Sequence, residues 1–208
     1  MTDVTSSTIA SSTALGRWDG GTCPFDAGWK KVLMWAFIIT DGLLFAGFLG
    51  GYGYARAMST VWPSQAEVFA IPFIAAMTFV LISSSATMAS AVWAVENDRP
   101  QLARRFVWAT TAGAVIFLGM QAVEWSNLIA EGVTLSGNPF GDPLFGAYFF
   151  VTTGFHGSHV LIGIIVLVTV SLRLGRSVTT TENVEMAGLY WHFVDLVWVF
   201  IFTLFYLV

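Results

Sequence analysis

Six titratable residues stand where the surrounding sequence is apolar: Asp41, Glu124, His156, His159, His192 and Asp195. His156 and His159, in the stretch VTTGFHGSHVLIG, have the i, i+3 spacing that puts both on one face of a helix. Two imidazoles so placed could ligate a metal with His192 or Glu124 completing the set, could carry protons, or could hold helices together through hydrogen bonds. HGSH is a short motif, and nothing in the sequence brings the helices that bear these groups to one ion. Gln121 and Glu124 also share a helix face, as do His192 and Asp195. Gln121 could therefore donate to Glu124, and His192 to Asp195, directly or across helices. A network of this kind, with lipid or partner contacts beside it, outweighs the metal reading. Asp41 differs, because ITDGLLFAGF is apolar around it and Phe45 lies one turn on. A carboxylic acid there, facing lipid or an adjacent subunit, is expected to be protonatable and reactive toward hydrophobic carboxyl reagents.

The elements that must position these groups follow from composition. The 208 residues are 56% hydrophobic and 11% charged, with a mean hydropathy of +0.72, which leaves too little charge for an ordinary solvated surface. Five long apolar segments run from about Leu33 to Ala57, Val68 to Val95, Arg105 to Ala130, Leu144 to Leu172 and Met186 to Val208. Each exceeds the roughly 20 residues that cross a hydrocarbon core as a helix, and each is far too long for a barrel strand of about 9 to 11 residues. Backbone polar groups in lipid must be satisfied within the segment. The expected fold is all-α, a polytopic membrane protein built as a bundle of five transmembrane helices.

Basic residues set the expected orientation. Arg17, Lys30, Lys31, Arg99, Arg104, Arg105, Arg173 and Arg176 fall on one side of the alternating segments, and Arg56 alone falls on the other. That asymmetry predicts a cytoplasmic N-terminus and an outside C-terminus. Residues 1–28, rich in Ser, Thr and Gly, read as an N-terminal cytoplasmic arm and not as a cleaved signal, with residues 29–208 forming the membrane domain. Cys23, the single cysteine, reads as a surface or partner-contact thiol. Trp62 beside Pro63 reads as an interfacial anchor at a turn. Gly42, Ala46 and Gly50 on the first span, and Gly154 and Ser158 on the fourth, mark expected close helix approaches. The Ser83, Ser84, Ser85 run reads as hydroxyls bonded back to the helix or across to a neighbour.

Taken in order, TDGLLFAGF, WPS, LGMQAVEW, FFVTTGFHGSHVLIG and YWHFVDLVWVFIFTLFY resemble subunit III of haem-copper terminal oxidases, the cytochrome c oxidase subunit III family, from about Trp35 to Tyr206. Many members of that family have seven helices in two groups across a lipid-filled cleft. This chain is similar to the larger group alone, a short five-helix form. The resemblance implies a non-redox subunit that binds no haem or copper itself, those cofactors lying in partner subunits. It implies subunit I, with subunit II, as partners, structural phospholipid as a ligand, cytochrome c met through the complex or a respiratory supercomplex, and no nucleic acid. It implies support for proton uptake in a complex of the bacterial inner membrane that passes electrons from cytochrome c to oxygen and pumps protons. The family's reactive membrane carboxylate, commonly a glutamate, matches Asp41, and Glu124, His156, His159, His192 and Asp195 match the characteristic polar positions of the later helices. Three histidines and one cysteine are too few for the axial and copper ligands that such an oxidase needs. The alternatives are a quinol-oxidase subunit III and an accessory protein of a nitric oxide reductase. A small transporter is disfavoured by the absence of an inverted repeat, and an independent metalloenzyme would rest wholly on the histidine spacing.

Overall fold

A computed structural model describes residues 28–176 and 180–208. The expected N-terminal arm lies outside the described residues apart from Gly28, and with it Arg17 and Cys23. Among the described residues there is no strand, and five helices are long and apolar enough to cross a membrane. They are α1 (Trp29–Met58), α3 (Ile71–Glu96), α4 (Pro100–Ala130), α5 (Pro143–Gly175) and α6 (Thr181–Phe202), with a short α2 (Gln65–Val68) between the first two. A π-helical turn, Thr203–Leu207, closes the last span.

Prolines fix several boundaries. Pro72, Pro100 and Pro143 each occupy the first or second position of a helix, where the missing N–H costs nothing and the fixed φ suits helix entry. Asp142 caps α5, its carboxylate accepting from Leu144 N at 2.9 Å, a donor that the helix itself leaves unpaired. The second apolar segment does not run unbroken from Val68. Val68 ends α2, Phe69 is extended, and α3 starts at Ile71. Conversely, α1 and α4 begin before their apolar cores, at Trp29 and Pro100, since a helix continues through the interface wherever its sequence permits.

Because successive spans alternate in direction, the starts of α1, α4 and α6 share one rim. Lys30 reaches Glu182 at 2.8 Å and Lys31 reaches Glu185 at 3.3 Å across that rim. The α3–α4 turn, with Asp98 at a positive φ of 55°, lies there too, and we refer to it as the basic rim. At the opposite rim, Asp142 N donates to Val61 O at 3.1 Å, tying the start of α5 to the α1–α2 connection.

Helix α6 is the axis of the bundle, packing on α1, α3 and α5, with Trp191 and Trp198 fully buried. Their indole N–H groups donate to α3, Trp191 to Ser84 Oγ at 3.1 Å and Trp198 to Thr78 Oγ1 at 3.0 Å. Thr87 and Thr110 hydroxyls meet at 2.8 Å between α3 and α4, and Trp125 of α4 donates to Thr153 Oγ1 of α5 at 3.2 Å. Such bonds are the directional part of helix association in a membrane, where apolar contact alone does not distinguish a neighbour from lipid. The small-residue spacing on α1 does not mark a helix contact throughout: a Cβ at Gly50 would meet nothing within 4 Å. Gly154 does lie against Trp125, whereas Ser158 is exposed and bonds back to Phe155 O. The tightest helix approaches occur elsewhere, at Gly113, whose added Cβ would lie 2.8 Å from Ser84 Cβ, and at Gly163 beneath the Trp191 ring.

Candidate functional site

The buried residues of α1 are Asp41, Phe45, Tyr52 and Ala55, a single stripe at helical spacing. Asp41 therefore faces the bundle and does not face lipid. Its Oδ1 lies 3.4 Å from His159 Nε2 of α5, with both side chains 9% exposed. His159 Nδ1 is 2.9 Å from Phe155 O, and a carbonyl only accepts, so Nδ1 carries a hydrogen. The other ring nitrogen, Nε2, is therefore the one that faces the Asp41 carboxyl. Phe155, Phe45 and Phe37 surround the imidazole, their centroids 4.7, 5.7 and 6.4 Å away. Asp41 has no partner on its own helix, as the local sequence indicates. The partner is on another helix, beyond the reach of local spacing.

The two histidines of the opening motif diverge. His159 turns to α1, whereas His156, 1% exposed, turns inward between α4 and α6. Its ring lies 5.2 Å from Trp198 and 5.9 Å from Phe117, and neither nitrogen has a hydrogen-bond partner among the described residues. The arrangement is aromatic packing, and the two rings do not converge on an ion. Among the described residues no group of three or more His, Cys, Asp and Glu side chains is placed to hold a metal.

Gln121 Nε2 donates to Glu124 Oε2 at 2.9 Å, the local pairing read from the sequence. Tyr206, in the π-helical turn, adds a second donor to the same oxygen at 3.0 Å. Nothing in the local sequence signals that tyrosine, because only the packing of the last span against α4 brings it there. The expected His192–Asp195 bond is not formed. His192 Nδ1 meets Ser85 Oγ of α3 at 2.7 Å, and Asp195 Oδ1 is buried without a hydrogen-bond partner among the described residues. A serine from the Ser83–Ser85 run thus bonds across from α3 to α6. Trp62 is partly buried, its ring packing on Tyr52 and Phe145 at 5.4 and 5.8 Å.

A groove of about 740 Å³ runs between α1, α5 and α6. Leu33, Phe37, Ile165 and Val166 line it, His159 stands at its inner end, and Lys30 and Arg173 stand at the basic rim. The groove is thus an apolar trough with two cationic side chains at its mouth.

Comparison with known proteins assigns this bundle. Residues 12–208 match the family described as cytochrome c oxidase subunit III. A cytochrome c oxidase subunit 3 from Thermostichus vulcanus is 36% identical over 178 residues, covering 82% of this chain and 83% of the relative. One from Corynebacterium diphtheriae is 35% identical over 178 residues, covering 83% and 84%. A protein named "Probable quinol oxidase subunit 3" from Staphylococcus saprophyticus is 32% identical over 193 residues, covering 86% and 89%. With a family match over nearly its whole length, and with five membrane-spanning helices of the kind the resemblance implied, the chain belongs to the cytochrome c oxidase subunit III family.

Proposed function

We propose that the chain is the non-redox third subunit of a proton-pumping haem-copper oxidase, seated against subunit I and stabilising it in the bacterial inner membrane. The observation that carries this reading is the inward turn of the intramembrane polar groups. Asp41 with His159, Glu124 with Gln121 and Tyr206, and His192 with Ser85 are paired within the bundle. The outward side chains Leu43, Phe79, Ile165 and Leu196 are apolar and more than half exposed. A surface of this kind seats on another membrane subunit and on lipid, while the interior holds the bundle together. Oxygen reduction then belongs to haem and copper in the partner subunits. The chain supports it by shielding the core and sustaining proton uptake, with its N-terminus in the cytoplasm.

The α1/α5/α6 groove takes a structural phospholipid, Lys30 and Arg173 meeting its phosphate. Relatives with both cytochrome c and quinol oxidase names match this chain, so both donors belong in the assay. The test is purification of the complex with and without this chain, followed by haem and copper spectroscopy and oxygen uptake over successive turnovers. The expected result is intact cofactors and measurable initial turnover, with faster inactivation or weaker pumping. Loss of haem and copper from an otherwise assembled core would refute the division of labour.

A further inference from the structure

We propose that Arg99, Arg104 and Arg105, at the start of α4 on the basic rim, form a second site for the headgroup of an anionic phospholipid. The inference goes beyond the oxidase reading and needs only the membrane placement of the bundle. Gln101, Arg104, Arg105 and Trp108 lie at i, i+3, i+4 and i+7, on one face of α4. They border a cavity of about 560 Å³ that Leu174 and Gly175, at the end of α5, close from the other side. A second cavity of about 450 Å³ adjoins it around Asp98, Arg99 and Leu102, and Arg105 lines both.

Three guanidinium groups thus surround the two cavities, against the single carboxylate of Asp98. Among the described residues the ion pairs are Lys30–Glu182, Lys31–Glu185 and His159–Asp41, so none of the three arginines has a carboxylate partner. Two of them are nevertheless placed. Arg99 Cζ lies 5.7 Å from the centroid of the Trp93 ring, a cation–π distance. Arg104 lies close over Gly175, where an added Cβ would come within 3.0 Å of its Cζ. The start of α4 has no side-chain cap, and the positive end of its dipole adds to the same field.

Such a cluster suits the bidentate recognition of phosphate oxygens by guanidinium. What selects a lipid over a free anion is depth and lining. Trp108 is 42% exposed, one turn into the span from Arg104, at the level where indoles mark the membrane interface, and Leu174 continues an apolar wall below the headgroup. The site lies on the α4 side of the end of α5, apart from the groove lined by α1, α5 and α6.

The test uses the purified complex in phosphatidylcholine nanodiscs, titrated with phosphatidylglycerol, with bound lipid counted by native mass spectrometry. R104Q/R105Q is expected to bind phosphatidylglycerol about 30-fold more weakly at this site, from roughly 1 kcal/mol per basic residue near the surface. R104K/R105K keeps the charge and is expected to retain most of the binding, and K30Q/R173Q, at the other groove, is expected to leave it unchanged. Both arginines are exposed, so the glutamine variant is expected to stay in the complex, checked by its haem content. Unchanged phosphatidylglycerol binding in R104Q/R105Q would overturn the proposal. So would complete displacement of the lipid by inorganic phosphate, which would assign the site to the free anion.

Discussion

Replacing Tyr206 with Phe isolates one hydrogen bond, and its consequence depends on whether Glu124 serves structure. Tyr206 is 1% exposed and donates at 3.0 Å to an oxygen that also accepts from Gln121 at 2.9 Å. In membrane bundles such interhelical bonds average about 0.6 kcal/mol and reach about 1.7; an acceptor shared by two buried donors belongs toward the upper part of that range. At about 2–4 °C per kcal/mol for a chain of this size, Y206F lowers the temperature at which the chain leaves the complex by roughly 2–5 °C. The assay heats the purified complex in mild detergent and measures the chain that remains bound. The same substitution in an E124L background gives the decisive comparison. There the Tyr206 hydroxyl has lost its carboxylate acceptor, so removing it costs less than in the native chain. Oxygen-uptake turnover stays unchanged in Y206F throughout. If Y206F costs as much in E124L as in the native chain, the two side chains are not coupled and the network reading of Glu124 fails.

Three further outcomes follow from the same geometry. A hydrophobic carbodiimide is expected to label Asp41 faster than the rim carboxylate Glu182, and faster still in H159L, where no imidazole pairs with the Asp41 carboxyl. Mass spectrometry of labelled peptides reads both, and equal rates at Asp41 and Glu182 would refute the assignment. H156F is expected to be neutral or mildly stabilising, because it replaces a buried ring whose nitrogens have no partner among the described residues with an apolar ring of similar size between Trp198 and Phe117. A fall in release temperature above about 4 °C would show that those nitrogens are bonded in the assembled complex. G163A puts a Cβ 2.8 Å from the ring of Trp191, which is fully buried and tethered to Ser84 and so has no room to retreat. An overpacking cost of about 1–3 kcal/mol is expected, read in the same heating assay, with no effect expected in a W191F/G163A double variant beyond that of W191F.

The number and length of the spans were legible in the sequence because they depend on a one-dimensional quantity, the run of apolar residues against a fixed thickness of hydrocarbon. The Gln121–Glu124 pairing within α4 was legible from its spacing, whereas the same spacing between His192 and Asp195 on α6 gives no bond. Pairings between helices were not legible. A soluble helix reveals its inner face by an apolar stripe, but a span in lipid is apolar on both faces, so the sequence of α1 does not say that Asp41 looks inward. Nor does the sequence of α6 say that His192 turns to Ser85 and away from Asp195. The small-residue pattern on α1 fails at Gly50 on the same account, since glycine faces lipid as readily as it faces a neighbour.

The physical consequence concerns α1. Its N-terminal end is tied to α6 by two exposed ion pairs, Lys30–Glu182 and Lys31–Glu185, each worth well under about 1 kcal/mol when solvated. Its middle is tied to α5 by the Asp41–His159 pair and the Phe45 contacts, while Leu33, Ile39 and Leu43 stay exposed. A helix held by one narrow stripe has little of its own packing to resist separation, so the buried pair carries a larger share of its attachment than any single contact of α6 does for that helix. Removing one partner leaves the other as a polar group in an apolar seam, a far larger penalty than loss of either rim bridge. The carboxylate that reads in sequence as an acid facing lipid or an adjacent subunit thus lies against His159, in the seam that holds α1 to α5. Any reactivity it shows toward reagents or protons is exercised from within that contact.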